Sequence, residues 1–384
     1  MTQIGIDKIG LALPEYVLRL TDLAKARGVD PDKYTLGLMQ EAMAIAPLSQ
    51  DIVTLGAQAS AAILDDDDKA HIDMIILGTE TGIDQSKAAA VYIHGLLGIQ
   101  PFARSIELKE ACYSAAAGLE MAYNHILARP DSKVLVIASD IAKYGLQSSG
   151  EPTQGAGAIA MLVTANPRIL ALNGDNVYQT RDVMDFWRPN YSPYPQVDGH
   201  FSTLQYTDCL TTTFNYYKEK HAKSLEDFAA VCLHIPFAKQ GLKGLRALNP
   251  SPAQEERFME AIRYNQQVGN IYTGSLFLSF LSLIEQSKAL KAGDQILFYS
   301  YGSGAVCELF SGTLVQGYEN LLQSNRLEKL ANRTPISVAD YEKVFFETIV
   351  IDEEGNSSPL PNDPSPFALI AIDHHKRIYR SMID

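Results

Sequence analysis

From Ser114 to Gly118 the chain reads Ser-Ala-Ala-Ala-Gly, five residues with almost no side-chain bulk. Neighbours can approach a helix of that composition closely on every side, so the run predicts a helix buried between layers rather than one lying on the surface. Ahead of it, Ser105-Ile-Glu-Leu108 predicts a short strand, and the turn between them delivers Cys112 to the helix start. Unpaired N–H groups and the positive end of the helix dipole favour a thiolate there. In most chains a single cysteine is a filler of the core, so Cys112 has to be judged by its company.

That company comes from short apolar runs alternating with helical segments. Ile4–Leu13, Ile72–Leu77, Lys133–Ala138, Ala156–Val163, Phe228–His234, Asp294–Ser300 and Ala305–Ser311 predict strands. Ile52–Leu64, Ser86–Leu97, Ser202–Lys220, Ser251–Tyr264 and Leu276–Ile284 predict helices between them. Such alternation predicts an α/β protein whose sheets are covered on both faces. In such folds ligands gather beyond the C-terminal ends of the strands. Glu80 follows the strand at 72–77, His234 ends the strand at 228–234, and Asn270 opens Gly-Asn-Ile-Tyr-Thr-Gly-Ser275 just before an apolar helix. A thiol, a carboxylate and a His–Asn pair of donors suit thioester chemistry. The thiolate takes an acyl group, the carboxylate removes a proton alpha to a carbonyl, and the donors hold an oxyanion.

Other segments read more plainly. Val29–Thr35 predicts a loop, Asp65–Asp68 a solvated turn without the ligand spacing of a calcium loop, and Asn173–His200 an irregular crossover walling a substrate channel. Beyond Tyr318 the chain reads as helical, then polar and proline-rich, with a last strand at Phe367–Ile372 and a charged tail around His374-His375. Gly155-Ala-Gly157 precedes a strand instead of opening a helix, so it is no dinucleotide signature. With 32 Lys and Arg against 45 Asp and Glu, the net charge is −13. This excludes nucleic acid or an anionic membrane surface as the main partner. Four scattered cysteines, without a C-x-x-C pair, suggest neither a zinc site nor a disulfide framework. The apolar run Ser275–Ile284 is too short to span a bilayer and the N-terminus carries no signal pattern, so a cytoplasmic placement is expected.

Glu-Ala-Cys-Tyr113, Gly-Thr-Glu80, Glu-Pro-Thr-Gln-Gly-Ala-Gly157, Tyr-Pro-Gln-Val-Asp-Gly199, His-Ile-Pro236, Gly-Asn-Ile-Tyr-Thr-Gly-Ser275 and Tyr-Gly-Ser-Gly304 together resemble the 3-hydroxy-3-methylglutaryl-CoA (HMG-CoA) synthase family. They occur in that family's order over about residues 1 to 315, and the chain is similar to the shorter bacterial form. The resemblance implies a thiolase-like fold, with two pseudo-symmetric α/β halves in a five-layered αβαβα core. The halves would be residues 1–170, with Cys112, and residues 171–384, with His234 and Asn270. It also implies a homodimer, and condensation of acetyl-CoA with acetoacetyl-CoA and water to HMG-CoA and CoA, a step of the mevalonate pathway. No metal and no cofactor beyond the thioester substrates is implied.

Position by position, the resemblance makes Cys112 the acetylated nucleophile, Glu80 the general acid/base, and His234 the group that orients acetoacetyl-CoA and polarises its ketone. It places Tyr144, Ser149, Thr153, Ser202, Asn270 and Ser303 at the substrate, and Asp30, Pro31, Lys33, Lys239 and Lys243 at CoA. Ser149 stands where some members have Asn, and Pro31 replaces a small residue. Two kinds of rival stay in view, another condensing enzyme of the same superfamily and a binding protein. A ketoacyl synthase of the same superfamily would lack Glu80 in this role, and a thiolase would need a second reactive cysteine, for which Cys307 reads as core. A binding protein on the same fold would have no reason to combine Glu80, Cys112 and His234.

Overall fold

The structure, a computed structural model, describes residues 2–383. A ten-stranded sheet runs through the described residues. Its strands are β1 (Ile4–Ala12), β2 (Ile72–Gly78), β3 (Arg104–Leu108), β4 (Lys133–Ala142), β5 (Gly155–Ala165), β6 (Leu170–Leu172), β7 (Val177–Thr180), β8 (Ala230–Leu233), β9 (Gln295–Gly302) and β10 (Val306–Leu314). The order is β8-β9-β10-β6-β1-β5-β4-β2-β3, with β7 also paired to β10. Strands β2, β3 and β4 are mutually parallel, as are β8 and β9, and the other pairs are antiparallel.

The period of two along each strand sorts its residues into layers. On β2 and β4, Met74, Ile76, Val134, Val136 and Ala138 face a central core, whereas Ile75, Leu77, Leu135 and Ile137 face an outer one. In the other half, Ala230, Cys232, Ile296 and Phe298 join the same central core, and Val231, Leu233, Leu297 and Tyr299 face a second outer one. Helices fill the spaces: α1 (Ile52–Ala61) and α2 (Ala89–Leu97) cover one side, and α4 (Gly199–His221) and α5 (Ala238–Ala247) the other. Between them lie α3 (Ser114–Ala128) and α6 (Gly274–Gln286). This is the five-layered αβαβα arrangement expected.

Both central helices are sandwiched, and the sequence shows it differently in each. Every residue of α6 from Gly274 to Ile284 is buried, as its run of apolar residues broken only by serines requires. Helix α3 buries small residues instead. A Cβ added at Gly78 would lie 2.7 Å from the Ala115 nitrogen, and one at Gly118 would lie 3.0 Å from Ile76 Cγ2. No described helix is long and apolar enough to cross a membrane.

Several expectations need correction. Val29–Thr35 contains a one-turn helix, Asp32–Thr35, because the Asp30 side chain accepts from the Asp32 nitrogen at 3.0 Å. Asp65, Asp66 and Asp67 are solvated, but the segment opens a helix and is no turn: Asp65 caps the short helix Asp66–His71, and buried Asp68 binds Lys8 and Lys133 at 2.5 and 2.8 Å. The charge run thus neutralises two strand lysines. The helix expected over Ser251–Tyr264 breaks into Pro252–Ala261 and Arg263–Val268. His374 and His375 form the turn of a hairpin, Phe367–Asp373 with Lys376–Ser381, not a loose tail. That hairpin returns to the N-terminal half, where Arg377 and Tyr379 bind Asp51 at the start of α1. Residues after 320 include helices at Arg326–Ala331 and Val338–Phe346 and a short strand, Thr334–Pro335, that pairs parallel to Tyr16–Val17.

The close approach of β2 and α3 predicts a contrast between two glycines. Gly78→Ala should destabilise the protein by about 1–3 kcal/mol, since backbone cannot yield to a new methyl. Gly95→Ala, on α2 with no atom near its absent Cβ, should be neutral or stabilising by up to about 1 kcal/mol. Thermal and urea unfolding of both variants would check this.

Candidate active site

Parallel register builds the centre of the site. Gly78 of β2 lies opposite Ala138 of β4 and Leu108 of β3, so all three strands reach the same edge of the sheet. Two residues past the paired positions stand Glu80 and Asp140, side by side. Asp140 is wholly buried and its Oδ1 gathers the Thr79 hydroxyl (2.7 Å), the Glu80 N–H (2.9 Å), and the Thr81 N–H (3.2 Å) and hydroxyl (2.7 Å). This one carboxylate fixes the loop that carries Glu80. Beyond β3, Cys112 precedes α3 by two residues, held by a turn in which Ala111 has φ +41°. Its thiol donates to Glu80 Oε1 at 3.3 Å.

The thiolate expectation is corrected here. Burial pushes the Cys112 thiol well above its ordinary value, and the negative neighbours Glu80, Asp140 and Asp185 add to the effect. Cys112 lies just outside the helix, so the dipole does not outweigh desolvation. The same burial raises the Glu80 carboxyl, with the nearby Asp140 carboxylate as the next cause. Asp140 is raised by burial as well. Arg188 pulls the other way on Glu80, and its guanidinium also donates to the Glu80 carbonyl.

An apolar cage closes around the thiol. Tyr144, Tyr272 and Phe186 meet edge to face, with ring centroids 6.0 to 6.3 Å apart, and pack with Cys112 and Ala142. Asn270 donates from Nδ2 to the Tyr144 hydroxyl at 2.8 Å, and its Oδ1 accepts from the Tyr272 N–H and the Ser275 hydroxyl, both at 2.9 Å. Across the two halves, the Ala115 N–H donates to Thr273 Oγ1 at 2.8 Å, which ties the start of α3 to the start of α6. Gly302, at the end of β9, presses on the Glu110 carbonyl and on Tyr113, so that strand ends beside the Cys112 turn.

His234 follows β8, the parallel neighbour of β9, and its N–H donates to the Tyr299 carbonyl at 2.7 Å. Burial pulls the imidazole down to about 3, so the ring is neutral at physiological pH. Its buried Nδ1 has no hydrogen-bond partner among the described residues. No described hydrogen bond joins His234 to Cys112 or Glu80.

The remaining sequence-derived residues separate into groups. The Thr153 hydroxyl is turned to the Gly150 carbonyl at 2.8 Å, while the Thr153 carbonyl accepts from the Asn270 N–H at 3.0 Å. The Ser202 hydroxyl donates to Asp185 at 3.2 Å. Ser303 is partly exposed in the turn after β9, and Ser149 is exposed. Asp30, Pro31 and Lys33 lie on a surface turn whose later residue Leu38 accepts from the Lys239 N–H at 3.0 Å. Lys239 and Lys243 therefore sit on α5 beside that turn, on one helical face as their spacing required. None of the three lysines forms an ion pair among the described residues.

The sequence reading missed Asp140, Asp185, Phe186, Arg188 and Tyr272. An acid inside the apolar run of β4 was a visible signal for Asp140. Asp185, wholly buried, accepts from the Tyr301 hydroxyl at 2.7 Å and the Gly304 N–H at 2.9 Å, and nothing in its irregular segment marked it. Cys307 lies in β10, buried in the outer core, with its sulfur 3.2 Å from the Thr213 hydroxyl.

Comparison with known proteins agrees with this chemistry. A family model described as hydroxymethylglutaryl-coenzyme A synthase N terminal matches residues 1–168, and its C-terminal counterpart matches residues 176–255 and 249–354. The hydroxymethylglutaryl-CoA synthase of Enterococcus faecalis is 51% identical, over 98% of this chain and 100% of its own. The polyketide biosynthesis 3-hydroxy-3-methylglutaryl-ACP synthase PksG of Bacillus subtilis is 33% identical, over 90% of this chain and 88% of its own. A solved HMG-CoA synthase complexed with CoA superposes with a TM-score of 0.97 at 55% identity, covering 99% of this chain and 100% of that one. With both of its halves matched, the chain belongs to the hydroxymethylglutaryl-CoA synthase family.

Proposed function

We propose that this chain condenses acetyl-CoA with acetoacetyl-CoA and water to give HMG-CoA and CoA, the step that feeds the mevalonate route to isoprenoids. The observation that carries the reading is the Cys112 thiol donating to Glu80 inside a poorly hydrated pocket. A thiol kept protonated needs a base in contact with it, and Glu80 is that base. As the Cys112 sulfur attacks the acetyl-CoA carbonyl, its proton passes to Glu80 and CoA leaves as its thiol. Returned to the carboxylate form, Glu80 takes a proton from the methyl of acetyl-Cys112. The enolate carbon then bonds to the ketone carbon of acetoacetyl-CoA, and the ketone oxygen becomes a hydroxyl. Water finally cleaves the thioester to Cys112, leaving a carboxylate on the product and the free thiol on the enzyme.

Neutral His234, with an unpartnered ring nitrogen, donates to the developing alkoxide, and Asn270 with Tyr144 walls the acyl pocket. A ketoacyl synthase would have no use for a base in Glu80's position. Residues 1–170 supply Cys112 and Glu80, and residues 171–384 supply His234 and Asn270. Lys33, Lys239 and Lys243, each without an acidic partner among the described residues, offer cations to the phosphates of CoA. Substrate-side roles for Asp30, Pro31, Ser149, Thr153, Ser202 and Ser303 belong to the same reading. The two thioesters and water suffice for this chemistry, without a cofactor.

A cytoplasmic homodimer completes the reading. Support for the dimer is the sheet edge at β3, paired on one side only among the described residues, with Phe102 beside it 90% exposed. Sedimentation at assay concentration should show the dimer, and a fully active monomer would refute it.

Cys112→Ala should abolish both the acetyl adduct and HMG-CoA formation, read by intact-protein mass spectrometry with acetyl-CoA and by product assay. Glu80→Ala removes the proton acceptor but also a negative charge that holds the thiol protonated, and these partly offset each other. It should still form the adduct, while condensation falls by at least about 10²-fold. Near-normal condensation by Glu80→Ala would place the base elsewhere.

The pH profile follows from the raised carboxyl of Glu80. Condensation uses the deprotonated form, so its rate should fall with acid from a pH above the ordinary carboxylate range, by about tenfold per unit. A limb near pH 4 in the wild type would contradict the desolvated site. Replacing Lys239 and Lys243 together by Ala should raise the KM for both CoA substrates at least about tenfold while turnover stays within about twofold. Unchanged KM values would make them surface charges only.

A further inference from the structure

We propose that Arg27, Glu151, Gln154 and Tyr341 are positioning residues, forming a buried hydrogen-bonded chain that sets Tyr144 and Asn270 for the second substrate. The inference rests on the reading of Cys112, Glu80 and Asn270 as a condensing site.

The chain begins next to the Lys33 turn. Arg27 ends the helix Leu20–Ala26, just before that turn, and grips both oxygens of Glu151 at 2.7 and 2.9 Å. Its remaining nitrogen donates to Glu342 at 2.6 Å. Glu151 is 1% exposed and also accepts from the Gln147 N–H at 2.9 Å and the Tyr341 hydroxyl at 3.3 Å. The Tyr341 oxygen in turn accepts from Gln154 Nε2 at 2.7 Å. Gln154 Oε1 accepts from the Tyr144 N–H, again at 2.7 Å. Tyr144 is therefore held at its backbone by Gln154 and at its hydroxyl by Asn270.

Little slack remains between these groups. A Cβ at Gly150 would lie 3.0 Å from the Tyr144 ring, and one at Gly155 would lie 2.6 and 2.7 Å from the Val268 and Asn270 carbonyls. The segment 150–155 thus presses on Tyr144 and on Asn270 at once. Both oxygens of buried Glu151 are engaged, so the segment cannot shift without stranding a charge. The helix α7 (Val338–Phe346), which supplies Tyr341 and Glu342, comes from near the far end of the chain. Residues remote in sequence thereby fix the pocket wall, and they join it to the turn expected to meet CoA.

Tyr341→Phe in the full-length protein removes one hydroxyl and tests the chain. Its kcat/KM for acetoacetyl-CoA should fall about tenfold, while acetylation of Cys112 by acetyl-CoA stays within about twofold of wild type. In a Tyr144→Phe background, where no hydroxyl is left for Asn270 to meet, Tyr341→Phe should cost clearly less in kcat/KM than it does in the wild type. Arg27→Lys, which keeps the charge but loses the fork, should repeat the pattern and serves if Tyr341→Phe folds poorly. A lower melting temperature with unchanged kcat/KM, or equal losses in both backgrounds, would overturn the inference. A wild type that makes no HMG-CoA would instead sink the functional reading, so the two failures are distinguishable.

Discussion

Where strand β2 ends and helix α3 begins, two backbones meet with no side chain between them. Gly78 faces Ala115, and any Cβ on the strand would collide with the helix backbone. Sheet and helix are each rigid, so this contact sets where Cys112 stands relative to Glu80 to within the length of a hydrogen bond. The rest of the site is built outward from it. Thr273, at the start of α6, binds the Ala115 N–H and brings the C-terminal half into register with the first. Asp140 holds the Glu80 loop from the neighbouring strand. Asn270 and Tyr144 then close the pocket from above.

Charge in this pocket is governed by desolvation. Glu80, Asp140 and Asp185 contribute negative charge around a thiol that burial already keeps protonated. Moving one proton between Cys112 and Glu80 leaves the total charge of the pocket unchanged. The sulfur can therefore be made nucleophilic without adding a second anion to a poorly hydrated space. A neutral His234 fits the same scheme, since it can donate a hydrogen bond without bringing a cation that would hold Glu80 ionised and weaken it as a base. The cations that the substrate needs stand apart, at the Lys33 turn and on α5.

Much of this was legible in the residue order. Apolar runs at β2, β4, β5, β8 and β9 marked the strands, and the small residues of α3 and the long, mainly apolar stretch of α6 marked the two central helices. Glu80, Cys112, His234 and Asn270 were visible because each borders a strand end or a helix start, and local order suffices to place a residue there. Less local features were not. Asp185 sits in an irregular segment, and its partners Tyr301 and Gly304 lie more than a hundred residues away. The second strand of the C-terminal hairpin read as a tail because Asp51, which anchors it, is remote in sequence.

By itself the sequence determined the layers, the strand ends and the chemical kinds of group that stand there, since period, side-chain volume and turn residues act over a few positions. Only the tertiary structure decided how those groups behave. Local order at Cys112 argued for a thiolate, through the helix dipole. The fold overruled it by burying the sulfur two residues ahead of the helix and placing three carboxylates around it. Protonation depends on solvent access and on charges brought together from distant strands, and neither quantity exists until the chain has closed around the site.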